Sequence, residues 1–369
     1  MTAMADGILP AQAIRRLIDD GAIRAEARQF GSAKPGFDTD QVQPASLDLR
    51  AGATAFRVRA SFLPGPDCTV VDRLEEVGLH AIPLRDGAVL ETGCVYIVPL
   101  LESLDLPSSI VASANPKSST GRLDVFTRVI ADNARAFDTI PAGYSGPLYL
   151  EVSPRTFPIV IRTGSRLSQI RFRRGQARLT DTELRALHDR VRLADDEPVI
   201  ENGLGLSVDL DPRRGGIVGY RAKRYTGLID VDARDAHDQN EFWEPVDLRG
   251  KSQLILDPDQ FYILMSREAV QVPPDYAAEM VPFDPLVGEF RVHYAGFFDP
   301  GFGHAESGGS GSRAVLEVRS HEVPFILEHG QIVCRLVYEK MAERPSFVYG
   351  TGIGSHYQAQ GLKLSKHFR

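Results

Sequence analysis

Eleven residues of the first half of this chain recur in the second at one spacing, and this constrains its fold more than any other feature. Leu90, Tyr96, Ile97, Glu102, Pro107, Pro116, Leu150, Glu151, Val152, Pro158 and Gly164 return 166 positions later as Leu256, Tyr262, Ile263, Glu268, Pro273, Pro282, Leu316, Glu317, Val318, Pro324 and Gly330. Accidental similarity does not hold a single offset across apolar, acidic and turn-forming residues alike. An earlier element returns at a slightly shorter spacing, Ser46-Leu-Asp-Leu49 being echoed 161 positions later by Ser207-Val-Asp-Leu210. The 369 residues therefore read as one domain written twice, 1–178 and 179–369. Whatever architecture the first copy adopts the second must also adopt, with Glu151 and Glu317 at equivalent places.

The pattern inside each copy is that of short strands. Ala11 to Asp20 carries apolar residues at 14, 17 and 18, the spacing of a short amphipathic helix. From Ser46 to Phe172, runs of Val, Ile, Leu and Tyr are broken by Gly, Pro, Asp and Asn, as in an all-β sandwich or barrel. Thr182 to Arg192 is helical again, and the strand pattern then restarts. The expectation is a mainly β protein of two tandem domains, each opened by a short helix.

Composition excludes several classes of function. A formal charge of −7 and a pI near 5.8 do not suit a general nucleic-acid binder, which needs a dominant basic face. No run of about 18 apolar residues predicts a membrane span. The opening Met1-Thr-Ala-Met-Ala-Asp-Gly-Ile-Leu-Pro10 lacks the charged and apolar regions of a secretory signal, which points to the cytoplasm. Cys68, Cys94 and Cys334 are far apart, without a C-x-x-C pair, so neither disulfides nor structural zinc are expected. His304-Ala-Glu306 matches half of a zinc-deaminase signature, but no cysteine pair follows it.

The chemistry gathers in Pro116-Lys-Ser-Ser-Thr-Gly-Arg122, where two serines, a lysine, a glycine and an arginine within seven residues suit a polyanion. Ser118 and Ser119 supply hydroxyl and N–H donors, Gly121 lets the backbone approach, and Arg122 can fork across two oxygens. Taken alone, such a run is more often a solvated turn. Downstream, Gly143-Tyr-Ser-Gly-Pro-Leu-Tyr-Leu-Glu151 reads as a turn feeding a strand that ends on a carboxylate, and Gly164 to Phe172 as another turn and strand. The second copy has Phe283-Asp-Pro-Leu-Val-Gly-Glu289 where the first has its serine-rich run, and its two acids would repel a polyanion.

This order of pieces resembles the dCTP deaminase and dUTPase superfamily, across most of the chain. Gln43-Pro-Ala-Ser-Leu-Asp-Leu-Arg50 is similar to its first motif, the run ending at Arg122 to its phosphate-binding motif, and Leu150-Glu151 to the strand carrying its catalytic glutamate. S-S-x-x-R followed by L-E resembles the deaminase branch. The resemblance implies dUTPase-like domains of the β-clip, distorted jelly-roll type and zinc-independent hydrolysis of dCTP to dUTP and ammonia. It further implies Mg2+ carried on the triphosphate, with no protein metal site. Val292 to Gly303 resembles the family's nucleoside-binding hairpin, which places Tyr294, Ala295 and Asp299 at the base. Tyr349 to Gly361 resembles its C-terminal lid, with Tyr349, Tyr357 and Gln360 as contacts and His356 where a lysine is usual, so that Lys363 or Lys366 would compensate.

On this resemblance Lys117, Ser119 and Arg122 hold phosphate, while Arg122 and Ser118 hold the attacking water. A glutamate pocketed among Val315, Leu316 and Val318 would have its pKa raised toward useful acid–base chemistry. Compact family members form trimers with sites between neighbours, and herpesvirus dUTPases resemble a duplicated form with one shared site. Here Ser118, Ser119 and Arg122 survive only in the first copy, and Ala295 and Asp299 only in the second, which favours a composite site using Glu317. Glu151 leaves open a site made among first domains in a homo-oligomer. Asp299 leaves open a dUTP pyrophosphatase, or a bifunctional enzyme forming dUMP, and a non-catalytic nucleotide-binding regulator is the third reading.

Overall fold

Both copies build the same pair of facing sheets, because their strand-forming runs sit in the same order. The computed structural model describes residues 5–25, 36–211, 216–282, 290–293, 296–320, 322–350 and 361–369, with the backbone alone for 282 and 290–293. In the first copy one sheet runs Gly78–Pro83, Thr54–Val58, Val95–Asp105, Ser145–Pro154, Val125–Ala131. The other runs Gly7–Ile8, Ser168–Arg174, Ile110–Pro116, Thr139–Ile140. The second copy repeats them as Trp243–Val246, Gly219–Ala222, Phe261–Val270, Ser312–Ser320, Phe290–His293 and as Leu204–Ser207, Ile332–Lys340, Tyr276–Pro282, Phe297–Phe298.

The repeat keeps its register at the two glutamates to within one residue. Glu151 lies across from Ile97 on one side and Arg128 on the other, while Glu317 lies across from Ile263 and His293. Each partner of the second copy stands 166 residues after the corresponding position of the first or one beside it in the same ladder, as the sequence spacing requires.

Helices open both copies. Ala11–Asp19 buries Ala11, Ala13, Ile14 and Leu17 on one face, the helical stripe expected from its apolar spacing. Asp181–Arg190 begins at Thr180, whose side chain accepts from the Glu183 N–H while the Glu183 carboxylate takes the Thr180 N–H. Thr180-Asp-Thr-Glu183 is thus a reciprocal cap that satisfies two otherwise orphaned donors. A further helix, Val70–Val77, interrupts the run expected to hold only strands. Thr69 and Asp72 cap it reciprocally, and among its residues only Val70 is buried, so it carries no long apolar stripe for periodicity to reveal.

The copies share a core. A continuous apolar cluster joins Leu47, Ile97, Leu150 and Phe157 of the first to Ile229, Trp243, Phe261 and Phe368 of the second. Trp243 packs edge-on against Phe157 at 5.4 Å and Phe368 at 5.8 Å between ring centroids. A strand of the second copy, Ile229–Asp230, also adds in parallel to Ile159–Ile161 of the first. The last residues return to the first copy, so chain order and spatial order part company at the C-terminus.

Candidate active site

The strand Ile110–Pro116 ends on a proline, which cannot donate to a continuing ladder. One helical turn follows, Ser118–Gly121, in which Thr120 and Gly121 N–H donate to the Lys117 carbonyl and Arg122 N–H to that of Ser118. The serine-rich run is therefore one helical turn that carries Ser119 and Arg122 inward. Ser118 is exposed, Ser119 buried, and Arg122 is carried inward to 6 % exposure. Arg122 Nη1 donates to the Lys363 carbonyl at 3.1 Å. Its Nε stands 4.0 Å from Glu317 Oε1.

Glu317 occupies the middle of Ser312–Ser320, where alternate side chains point to opposite faces. Of the three apolar neighbours expected around it, only Val315 shares its face. Leu316 and Val318 point the other way into the core of the second copy. Glu317 is buried and lies on the wall of a cavity lined by both copies. Burial pushes its carboxyl up to about 8, with the Arg122 guanidinium pulling the other way.

A cavity of about 370 Å³ lies between these residues and is lined from both copies. Lys117, Ser118, Ser119 and Arg122 face it from the first, Asp299, Glu317 and Tyr349 from the second. Tyr349 N–H donates to the Pro300 carbonyl at 2.8 Å, and its ring lies 5.8 Å from that of Phe302. Tyr294, Ala295, Tyr357 and Gln360 lie outside the described residues, as do His356 and the stretch 283–289.

Further cations complete the cavity wall: Arg166 of the first copy and Arg234, Arg313 and Lys366 of the second. Burial, together with the nearby Lys117 and Arg234 charges, lowers Lys366 to about 8. Lys366 belongs to the tail, which is fastened to the phosphate run. Ser365 Oγ donates to the Ser119 carbonyl at 2.8 Å and lies 2.9 Å from His367 Nδ1, while His367 Nε2 lies 2.9 Å from the Val231 carbonyl. Arg234 stands in no recognisable motif, and no local signal marked it. Arg166 could have been found in the Gly164-Ser-Arg166 turn that was noted only for its shape.

Acids share the wall with these cations. Lys117 Nζ is 2.5 Å from Asp48 Oδ2, and Asp48 Oδ1 is buried without a hydrogen-bond partner. Asp48 is the acid of the Ser46-Leu-Asp-Leu49 element. Glu151 is not brought to this cavity. Its Oε1 accepts from Arg128 Nε at 3.0 Å and Nη2 at 2.6 Å, and the Arg128 guanidinium lies 3.4 Å over the Phe137 ring. The first-copy glutamate is thus held by its own arginine, at the place in the ladder where the second copy leaves Glu317 facing a cavity.

The whole arrangement offers a buried acid–base group beside an arginine, with a cluster of cations around them. Residues 5–176 match the family model described as the N-terminal domain of 2′-deoxycytidine 5′-triphosphate deaminase, and residues 180–368 match that of its C-terminal domain. A dCTP deaminase of Halorubrum lacusprofundi is 30% identical over 145 residues, 38% of this chain and 67% of that protein. A dUMP-forming dCTP deaminase of Beutenbergia cavernae is 32% identical over 162 residues, 42% of this chain and 78% of that protein. The crystal structure of a 2′-deoxycytidine 5′-triphosphate deaminase from Agrobacterium tumefaciens superposes with a TM-score of 0.86 at 64% identity, covering 91% of this chain and 99% of that one.

Proposed function

Because the chain belongs to the 2′-deoxycytidine 5′-triphosphate deaminase family through both of its copies, we propose that the cavity between Arg122 and Glu317 hydrolyses dCTP to dUTP and ammonia. The observation that carries this assignment of residues is the 4.0 Å approach of Arg122 to Glu317, within a cavity whose other cations suit a triphosphate.

Replacing an amino group at ring carbon 4 by oxygen requires four proton movements, and one carboxyl can serve them all. Glu317, raised to about 8, holds its proton at neutral pH. It gives that proton to ring nitrogen 3, which makes carbon 4 electrophilic. The carboxylate so formed takes a proton from water as the oxygen adds. It passes this proton to the amino group, then accepts the hydroxyl proton as the carbon–oxygen double bond forms and ammonia leaves. Glu317 ends as it began. Arg122 and Ser118 hold the water, and Arg122 steadies the carboxylate between transfers.

Lys117, Arg166, Arg234 and Lys366 supply charge for the triphosphate, and Ser119 a neutral hydrogen-bond donor. Asp48 fits a hydrated Mg2+ on those phosphates, since its buried Oδ1 is left without a partner. Such an ion would neutralise phosphate charge and hold the triphosphate chain in one conformation. Its protein ligation would be slight, and Asp48 would receive one of its waters.

A dUMP-forming reaction is the second reading, since Asp299 also faces the cavity. Its carboxylate is engaged by Arg171, with Oδ1 accepting from Nη2 at 3.4 Å, which favours deamination alone. Incubation with dCTP and Mg2+, resolving dUTP, dUMP, ammonia and pyrophosphate, tests the assignment. Ammonia and dUTP in equal amounts support it; dUMP with pyrophosphate supports the second reading; no product leaves a nucleotide-binding regulator.

A further inference from the structure

Arg171 belongs to the first copy, is 1 % exposed, and directs its side chain entirely at the second. Nη1 donates to the Ala278 carbonyl at 3.0 Å, and Nη2 to the Phe298 carbonyl and to Asp299 Oδ1, each at 3.4 Å. The guanidinium carbon lies 4.0 Å from the centroid of the Phe297 ring, and Nη1 is 3.8 Å from Glu339 Oε2. Phe297, Phe298 and Asp299, three consecutive residues of the cavity wall, are therefore held by one side chain that does not itself face the cavity.

The repeat shows that the fold does not need an arginine at this place. Arg171 lies across from Ser113, and the equivalent pair in the second copy is Val337 across from Glu279. The same strand position in the same sheet is filled there by a buried valine. Placing a guanidinium in a core is costly unless several partners meet it, and all the partners of Arg171 named above come from the other copy. Its contacts are made for the wall at 297–299, not for its own strand.

We propose that Arg171 is a positioning residue that sets the base-facing wall of the site through Phe297–Asp299 and leaves the phosphate side untouched. The inference rests on the reading of this cavity as a dCTP site. Phe297 and Phe298 line the cavity with planar apolar rings, whereas Lys117 and Arg166 line it from the first copy with cations. A change at Arg171 should accordingly separate two affinities that a general loss of structure would lower together.

Two variants test this, Arg171→Met, which keeps the volume, and Arg171→Lys, which keeps the charge but loses the fork. Steady-state kinetics with dCTP would be compared with inhibition by inorganic tripolyphosphate, and amide exchange would be followed over residues 296–302. The expected result is a KM for dCTP raised by about tenfold or more in Arg171→Met and less in Arg171→Lys, with the tripolyphosphate constant held within about twofold. Exchange at 296–302 should quicken while that of Ile110–Pro116 does not. An unchanged KM and unchanged exchange would overturn the proposal, and so would equal weakening of both ligands in step with a fall in Tm. If the wild-type protein turns over no dCTP, the functional reading fails, and amide exchange alone then decides whether Arg171 fixes the wall.

Discussion

Arg122 Nε and Glu317 Oε1 stand 4.0 Å apart although they belong to different copies of the repeat. At that separation a cation favours the charged carboxylate, while withdrawal from water disfavours it. The rise of Glu317 to about 8 shows that desolvation is the larger effect here. A group able both to give and to take a proton near neutrality results from that balance.

Glu317→Gln should abolish turnover and leave dCTP binding largely intact, because the amide keeps the shape and loses the proton. Glu151→Gln should retain turnover and lower stability, since it breaks the hydrogen-bonded pair with Arg128, by about 1–3 kcal/mol. Turnover together with urea unfolding checks both. A dead Glu151→Gln beside an active Glu317→Gln would place the reaction in the first copy.

The pH dependence should carry the same signature. As free-enzyme kcat/KM reports the ionisation of the catalytic group, and Glu317 starts the reaction protonated, its alkaline limb should bend down near pH 8, and in Arg122→Ala it should bend higher, the opposing cation being gone. For stability the sign runs the other way from a paired carboxylate. The native state keeps the Glu317 proton above the ordinary value of 4.5, so its contribution is full below that pH and is lost as pH rises through about 8. Glu317→Gln should therefore gain melting temperature relative to wild type across this window.

Lys366→Ala should weaken triphosphate binding and flatten its dependence on salt. In the wild type, the lowered value of Lys366 should make affinity for inorganic tripolyphosphate decline above about pH 8, where the lysine sheds its charge. Arg122→Ala should cost more, about 1.5–3 kcal/mol, because it removes a charged hydrogen-bond donor. Inhibition constants measured from pH 6.5 to about 9 would show both effects.

Deamination should survive exhaustive treatment with a zinc chelator and fall when Mg2+ is withheld. Loss of activity on zinc removal, restored by zinc, would sink the mechanism given for Glu317. Asp48→Asn should raise the Mg2+ concentration needed for half-maximal rate, which titration would show.

The fold was readable because strand order and register are periodic properties, and the spacing of Leu150, Glu151 and Val152 to Leu316, Glu317 and Val318 states that periodicity directly. The candidate site was legible in part for a different reason: Lys117, Ser118, Ser119 and Arg122, which line the cavity, are neighbours in sequence, so their chemistry shows as composition. Arg234 and Arg313 reach the cavity only through tertiary folding, and nothing near them in the chain signals it, whereas Lys366 could be picked out as one of two lysines following the lid-like segment. The pairing of Arg128 with Glu151 was hidden likewise, since it depends on which strand lies beside which. Val70–Val77 was missed because a helix with one buried side chain leaves almost no hydrophobic pattern.

The copies that face each other across the cavity share one backbone, so the site proposed here would be free of the law of mass action. A pocket completed by separate molecules loses specific activity on dilution as those molecules part. Here the two walls meet at an effective concentration fixed by their tether and shared core, so rate per chain should stay level however dilute the protein. For the same reason, mixing Arg122→Ala chains with Glu317→Gln chains should restore nothing, as each molecule carries its own lesion into the only wall it can present.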